Sequence, residues 1–313
     1  MKHRFRQPTE TGPLVTLRRP PYELVMAPGF GGRIVSFRRD RRDVLRPTPD
    51  AVLAEPKLYG FAGFPLMPYS GPLFGPGFTF AGTTWRLGRN VREEPSATHG
   101  DAWIAPFEVV RQSDTELDLE MEHEPEEGAF PFRFRALTRY ALSDSGLSVL
   151  LRLTSRDHRP MPGGIGIHPY FPKPPGTRLR FQSVGVWPAD APEMVTVGCG
   201  RLTEGLSFCD GPDVSEMVVD RLYEGWDGRA ELIYPDGFRT IVEADGVLDK
   251  MQVYSAWDYP YVCVEPVSNT NDGFNRMAAG VPSHGIRILE PNRSIEGTVR
   301  ISAGFDQPDQ ELG

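Results

Sequence analysis

Proline and glycine punctuate this chain too often for it to be built from helices. Its 313 residues include 31 Pro and 33 Gly, and these fall between short apolar runs. Inside a helix, proline removes a backbone donor and clashes with the preceding turn, and glycine costs about 1 kcal/mol relative to alanine. Several runs between them alternate with a period of two, among them Glu116–Glu122, Phe132–Tyr140, Leu147–Leu153, Lys250–Tyr254 and Glu296–Ile301. That period sends successive side chains to opposite faces of a strand. Turn signals such as Ala81-Gly82, Ser143-Asp144-Ser145-Gly146 and Asp227-Gly228 recur at roughly 8–12-residue intervals, the spacing of sandwich strands. The pattern predicts an all-β fold, a large antiparallel β-sandwich with few short helices.

The opening strands are expected at Leu14–Leu17, Tyr22–Met26 and Arg33–Phe37, the last alternating between two faces. Opposite charges on Glu116–Glu122 and Phe132–Tyr140 suggest that these two strands pair. No linker or compositional break divides the chain, so residues 1–313 read as a single domain. The stretch 188–214 is weakly periodic and reads as irregular. The polar tail 306–313 is expected to fray.

Charge and cysteine content exclude several classes. A net charge of −8 leaves no basic footprint for nucleic acid. No apolar run approaches the ~18 residues of a membrane span, and the basic start lacks the apolar core of a signal peptide. Cys199, Cys209 and Cys263 are an odd number without C-x-x-C spacing, which argues against a disulfide scaffold or a cysteine-rich zinc site. A cytoplasmic protein with no metal is expected. Gly29–Gly32 is no phosphate cradle, because it lacks GxGxxG spacing and no helical pattern follows. Neither a nucleophile elbow nor HExxH occurs.

What remains is proton chemistry. His168 stands in Gly166-Ile167-His168-Pro169-Tyr170-Phe171, where proline and glycine restrict the backbone around an imidazole with an ordinary pKa of about 6.5. Glu265 sits in the apolar run Val262-Cys263-Val264-Glu265-Pro266-Val267, where an unpaired carboxylate would cost several kcal/mol. These two side chains are expected to converge on a concave sheet face with room for a monosaccharide between them. In the Gly-, Pro- and aromatic-rich stretch Leu58–Leu87, the first half, Phe64–Phe74, reads as a long ordered loop, a common place for function, and the second half as a hairpin around Ala81-Gly82. Tyr170, Trp226 and Trp257 are the aromatic candidates for stacking on a ligand.

Taken in order, Gly31-Gly32-Arg33-Ile34-Val35-Ser36, Thr98-His99-Gly100, Gly166–Phe171, Asp220 ahead of Tyr223–Gly228, Cys263-Val264-Glu265-Pro266 and Gly285–Leu289 resemble the aldose 1-epimerases, the galactose mutarotase-like proteins. The likeness covers nearly the whole chain. It implies a β-supersandwich and a cofactor-free isomerase that interconverts sugar anomers. It also implies that His168 protonates the ring oxygen of a pyranose and Glu265 takes the proton of the anomeric hydroxyl. His99 and Asp220 would hold sugar hydroxyls, with Tyr170 and Trp226 in the binding wall. A catalytically silent carbohydrate-binding or sugar-sensing protein on the same fold is the alternative. Either would take a small-molecule carbohydrate as partner, without nucleic acid or membrane, as a monomer or homodimer. One departure bears on which sugar is used. Family members usually carry Asn-Arg where this chain has Gly71-Pro72, and proline supplies none of arginine's donors.

Overall fold

The computed structural model describes residues 8–92, 94–187, 200–201 and 205–305. The tail 306–313, Cys199 and much of the irregular stretch 188–214 lie outside the described residues.

Two eight-stranded antiparallel sheets dominate the fold. The first, a backing sheet, runs Glu108–Gln112, Glu116–His123, Phe134–Ser143, Gly146–Ser155, Ser294–Phe305, Phe238–Gly246, Arg229–Ile233 and Arg178–Phe181. The second carries the site. Its order is Gly200–Arg201, Gly185–Val186, Val219–Glu224, Lys250–Ser255, Tyr261–Val267, Gly166–Ile167 and Pro65–Leu66, with Tyr170–Pro172 also paired to Tyr261–Val267. A four-stranded sheet holds the opening strands Val15–Arg19, Tyr22–Ala27, Arg33–Arg39 and Arg42–Asp43. The α-helices among the described residues are short, Asp50–Ala54 and Gly273–Ala278. None of the described helices is long and apolar enough to cross a membrane.

Strand parity decides what faces the site. Met251, Val253, Val262 and Val264 join the main core, together with Val149, Leu151, Val242 and Val299 of the backing sheet. Fully burying a side chain of this kind contributes about 1.5–3 kcal/mol. Their alternates, Gln252, Tyr254, Cys263 and Glu265, must then point away from the backing sheet. The strand Tyr261–Val267 is buried along nearly its whole length, as its apolar run predicts.

Other local expectations hold. Asp118 pairs with Arg139 in register and accepts two hydrogen bonds of 2.7 Å from its guanidinium. The hairpin Gly77–Phe80/Thr83–Arg86 turns at Ala81-Gly82, both with positive φ. The strand Arg33–Arg39 differs from its expected two-faced pattern. Ile34 and Phe37 enter the main core while Val35 enters a second apolar cluster with Phe61, Phe64 and Trp103, so both faces are covered.

Ser143 pairs with Gly146 across the turn Asp144-Ser145. Gly146 has φ +136°, and a Cβ there would lie 2.3 Å from the Ile301 carbonyl oxygen of the adjoining strand. Gly146→Ala is therefore expected to destabilise the protein by about 1–3 kcal/mol in urea unfolding, through backbone strain and loss of close approach.

Candidate active site

The parity argument puts two rows of side chains on the outer face of the second sheet. One row is Asp220, Tyr254, Cys263 and Tyr170, each directly opposite the next. The other is Leu222, Gln252 and Glu265. His168 lies between the short strands Gly166–Ile167 and Tyr170–Pro172, with its backbone N–H on the Phe64 carbonyl at 2.9 Å. Over these rows the loop Leu58–Leu87 and the segment around His99 close a cavity of about 420 Å³. Its lining includes Tyr59, Gly71, Pro72, His99, His168, Tyr170, Asp220, Gln252, Tyr261, Glu265 and Asn271.

His168 is held as a flat plate. Its ring stacks on Tyr170 at 4.6 Å and lies 4.8 Å from the Phe64 ring. Its Nε2 is 3.4 Å from Glu265 Oε1, and its Nδ1 is buried without a hydrogen-bond partner. Burial lowers the His168 pKa well below the usual imidazole range, reinforced by the neighbouring His99 and the Arg46 cation. Burial raises the Glu265 pKa well above the usual carboxyl range, and the Asp220 charge adds to this. Both directions favour the uncharged forms. On those directions a carboxyl group beside a neutral imidazole, with one proton between them, is favoured over an ion pair.

His99 has a different role available. The Gly71 N–H donates to its Nδ1 at 3.1 Å, so the neutral ring carries its proton on Nε2. Burial, aided by the Arg33 cation, pushes its pKa down to about 3. It stays a neutral donor at all ordinary pH values. Arg33 is itself fully buried, among the rings of Phe30, Phe61, Phe64 and Trp103, and donates to backbone carbonyls of Leu58, Phe30 and Trp103. Arg46 stacks over Tyr170 and Tyr261 at 4.1 and 4.4 Å. The backbone turns sharply at His99, with φ +61°, and at Gly100, where a Cβ would meet the Met67 carbonyl oxygen at 2.3 Å.

On the far wall, Gln252 Nε2 donates to Asp220 Oδ1 at 2.6 Å. That bond fixes the amide, because nitrogen must face the carboxylate. Gln252 Oε1 is left buried without a partner, an acceptor beside Glu265.

Comparison with known proteins bears on the family and the fold. The sequence pattern of the aldose 1-epimerase family matches residues 13–302. The chain belongs to the aldose 1-epimerase family. It is 28% identical over 263 residues to the uncharacterized protein YphB of Escherichia coli K12, covering 80% of this chain and 86% of that protein. A crystal structure from Escherichia coli K12, provisionally named an aldose 1-epimerase, superposes with a TM-score of 0.82 at 25% identity, covering 94% of this chain and 99% of the other. A galactose mutarotase-like protein of Clostridium acetobutylicum gives a TM-score of 0.81 at 18% identity, covering 94% of this chain and 95% of the other. At that identity the likeness speaks to the fold alone.

Within this aldose 1-epimerase fold, five of the seven residues singled out in the sequence, His168, Glu265, His99, Asp220 and Tyr170, line one cavity. Trp226 does not. It is 6% exposed in the main core, and its Nε1 donates to the Arg229 carbonyl at 3.1 Å. Gly225, with φ +62°, turns the chain between Asp220 and Trp226, so the two do not share a wall. Trp257 is 73% exposed and stands outside the cavity. The expected sugar-sized gap between His168 and Glu265 is also absent. The two touch, and the guest space lies over them. Gln252, Asn271, Tyr59, Tyr254 and Tyr261 were not anticipated. Of these, Gln252 and Tyr254 carried a signal, since Lys250, Gln252 and Tyr254 form one side of an alternating strand.

A metal was not anticipated either, because no ligand spacing was visible. The structure brings ligand atoms of His168, Cys263 and Glu265 within 4.8 Å of one another. Cys-x-Glu on a strand puts both residues on one face, a spacing unlike the usual metal motifs. Burial raises the Cys263 pKa well above its usual range and keeps it a thiol, whereas the thiolate is the form that binds metals.

The buried carboxyl group has a measurable consequence for stability. Its raised pKa means that the unfolded chain ionises first as pH rises through about 4.5, while the folded chain resists. Between the unfolded and folded pKa values, the Glu265 contribution to stability falls by about 1.4 kcal/mol for each pH unit climbed, offset up to about pH 6.5 by the opposite contribution of the depressed His168 pKa. Glu265→Gln removes the effect. Its thermal midpoint should match wild type below pH 4.5 and exceed it at pH 7 to 8.

Proposed function

We propose that this aldose 1-epimerase family member is a mutarotase that opens and recloses the ring of a neutral pyranose. The observation that carries the reading is the 3.4 Å contact between His168 Nε2 and Glu265 Oε1 at the base of a sugar-sized cavity. In a cyclic sugar the ring oxygen and the anomeric hydroxyl are bonded to the same carbon. An acid and a base that serve both must themselves be neighbours, so close contact suits the chemistry better than a wide gap.

The proton count closes. Ring opening delivers one proton to the ring oxygen and removes one from the anomeric hydroxyl. With His168 protonated and Glu265 ionised, opening leaves His168 neutral and Glu265 protonated. That is the same proton inventory as the resting pair. After rotation about C1–C2, reclosure runs the transfers backwards and gives the other anomer. No net proton, electron or group is exchanged with solvent. Burial, reinforced by His99 and Arg46, opposes the charged imidazole, so the protonated form is a stronger acid than a free imidazolium.

The rest of the wall suits hydroxyl groups. His99 offers an N–H, Gln252 a buried acceptor, and Asp220 a carboxylate aligned by Gln252. Tyr59, Tyr170, Tyr254, Tyr259 and Tyr261 provide ring faces and hydroxyls. Among the described residues the lining contains Glu94, Asp220 and Glu265 but no lysine or arginine. That balance supports a neutral sugar over a phosphorylated or carboxylated one.

The test is the rate at which α-glucose, α-galactose and other freshly dissolved pyranoses reach anomeric equilibrium, followed by polarimetry or NMR exchange. His168→Asn and Glu265→Gln should each slow the catalysed rate by about 10²–10⁴-fold. Sugar-dependent thermal stabilisation with no rate effect in the wild-type protein would instead identify a carbohydrate-binding protein.

A further inference from the structure

We propose that Asn271 reads a hydroxyl of the sugar and that position 71 is glycine in order to admit it. The proposal rests on the reading of the cavity as a pyranose site. Gly71 and Asn271 both line that cavity, 200 residues apart. Gly71 has φ +73°, and a Cβ there would lie 1.8 Å from Asn271 Oδ1 and 3.3 Å from Asn271 Cα. The amide of Asn271 therefore fills the space that any other residue at position 71 would need. Gly71 also donates its N–H to His99 Nδ1. One small residue thus orients the neutral His99 donor and leaves room for an amide on the same wall.

The backbone on either side of Asn271 is pinned to the loop that carries Gly71. Ser70 N–H donates to Asn269 Oδ1, and Asn269 Nδ2 donates to the Ser70 carbonyl, both at 3.0 Å. Asp272 N–H donates to the Pro72 carbonyl at 2.8 Å, and Asp272 Oδ1 accepts from Phe74 N–H at 2.9 Å. Arg276, 1% exposed, donates from Nε to the Asn271 carbonyl at 3.0 Å. These bonds tie the two segments together, and a reader of hydroxyl position needs that kind of fixed backbone. An amide carries two donors and an acceptor, so it can meet a sugar hydroxyl with one group while another is engaged within the protein. It adds no charge. The ligand class is a neutral pyranose with a hydroxyl on the Gly71–His99 side of the ring.

The experiment compares wild type with Asn271→Ala on glucose, galactose, mannose, xylose and the monodeoxyglucoses, by calorimetric binding and by NMR exchange of anomers. For sugars that bind wild type, Kd and KM should rise about 10-fold while kcat stays within about twofold, the pattern of a lost uniform contact. One monodeoxy sugar, lacking the hydroxyl that Asn271 reads, should bind both proteins equally. An unchanged Kd, or equal weakening for every monodeoxy sugar, overturns the proposal. Failure of wild type to bind any sugar in the panel overturns it together with the reading it rests on. If wild type binds sugar without speeding anomerisation, the mutarotase reading fails, and the binding comparison still decides on Asn271. Thermal melts test the pairing separately. Gly71→Ala should lower the midpoint more in the wild-type background than in Asn271→Ala, because the second change removes the clash and leaves only the φ strain. An equal drop in both backgrounds overturns the pairing.

Discussion

A carboxyl group sunk in the middle of a sheet sets the terms for everything around it. Glu265 is 3% exposed on a strand flanked on both sides by others. A group in that position must be paired, neutralised or both. The chain meets this with an imidazole in contact, an amide directly opposite, and cations kept one layer back, where aromatic rings and carbonyls hold them. Arg33 and Arg46 are near enough to bias the histidines, yet their donors are turned toward backbone oxygens. The result is a site in which burial works against charge on both His168 and Glu265.

Much of this was legible because strands impose parity. The alternation in Lys250–Tyr254 and the apolar run around Glu265 identify strands whose faces differ, and the structure uses them so. His168 could be read from its rigid Pro- and Gly-bounded surroundings, and His99 only through the family resemblance. Three things were not legible. Parity says which face a residue takes but not which strand lies beside it, so the Gln252–Glu265 row was invisible. A single positive φ at Gly225 redirects the chain before Trp226, and the aromatic ends in the core rather than the wall. The distance between His168 and Glu265 depends on how the short strands Gly166–Ile167 and Tyr170–Pro172 dock against Tyr261–Val267, which no local pattern encodes.

The family match and the departure at Gly71-Pro72 are compatible once the wall is seen in three dimensions. Position 71 still contributes, through its N–H on His99. A polar side chain still stands beside it, although it is Asn271 that supplies it. On the proposed reading, proton transfer and hydroxyl recognition are thereby separable in this fold. The acid–base pair depends on one sheet and its flanking short strands, whereas recognition draws on loops that can trade side chains across the cavity.

The order of strands in the backing sheet carries a consequence for how the molecule is made. Ser294–Phe305 lies between Gly146–Ser155 and Phe238–Gly246, bonded to both along most of its length. A chain still emerging from the ribosome and stopped short of residue 294 has two half-sheets with open facing edges and no element to join them. Such edges invite pairing with other chains. Synthesis must deliver this strand before the sandwich can close, so the two edges it will join are the part of the unfinished sheet most exposed to wrong pairing.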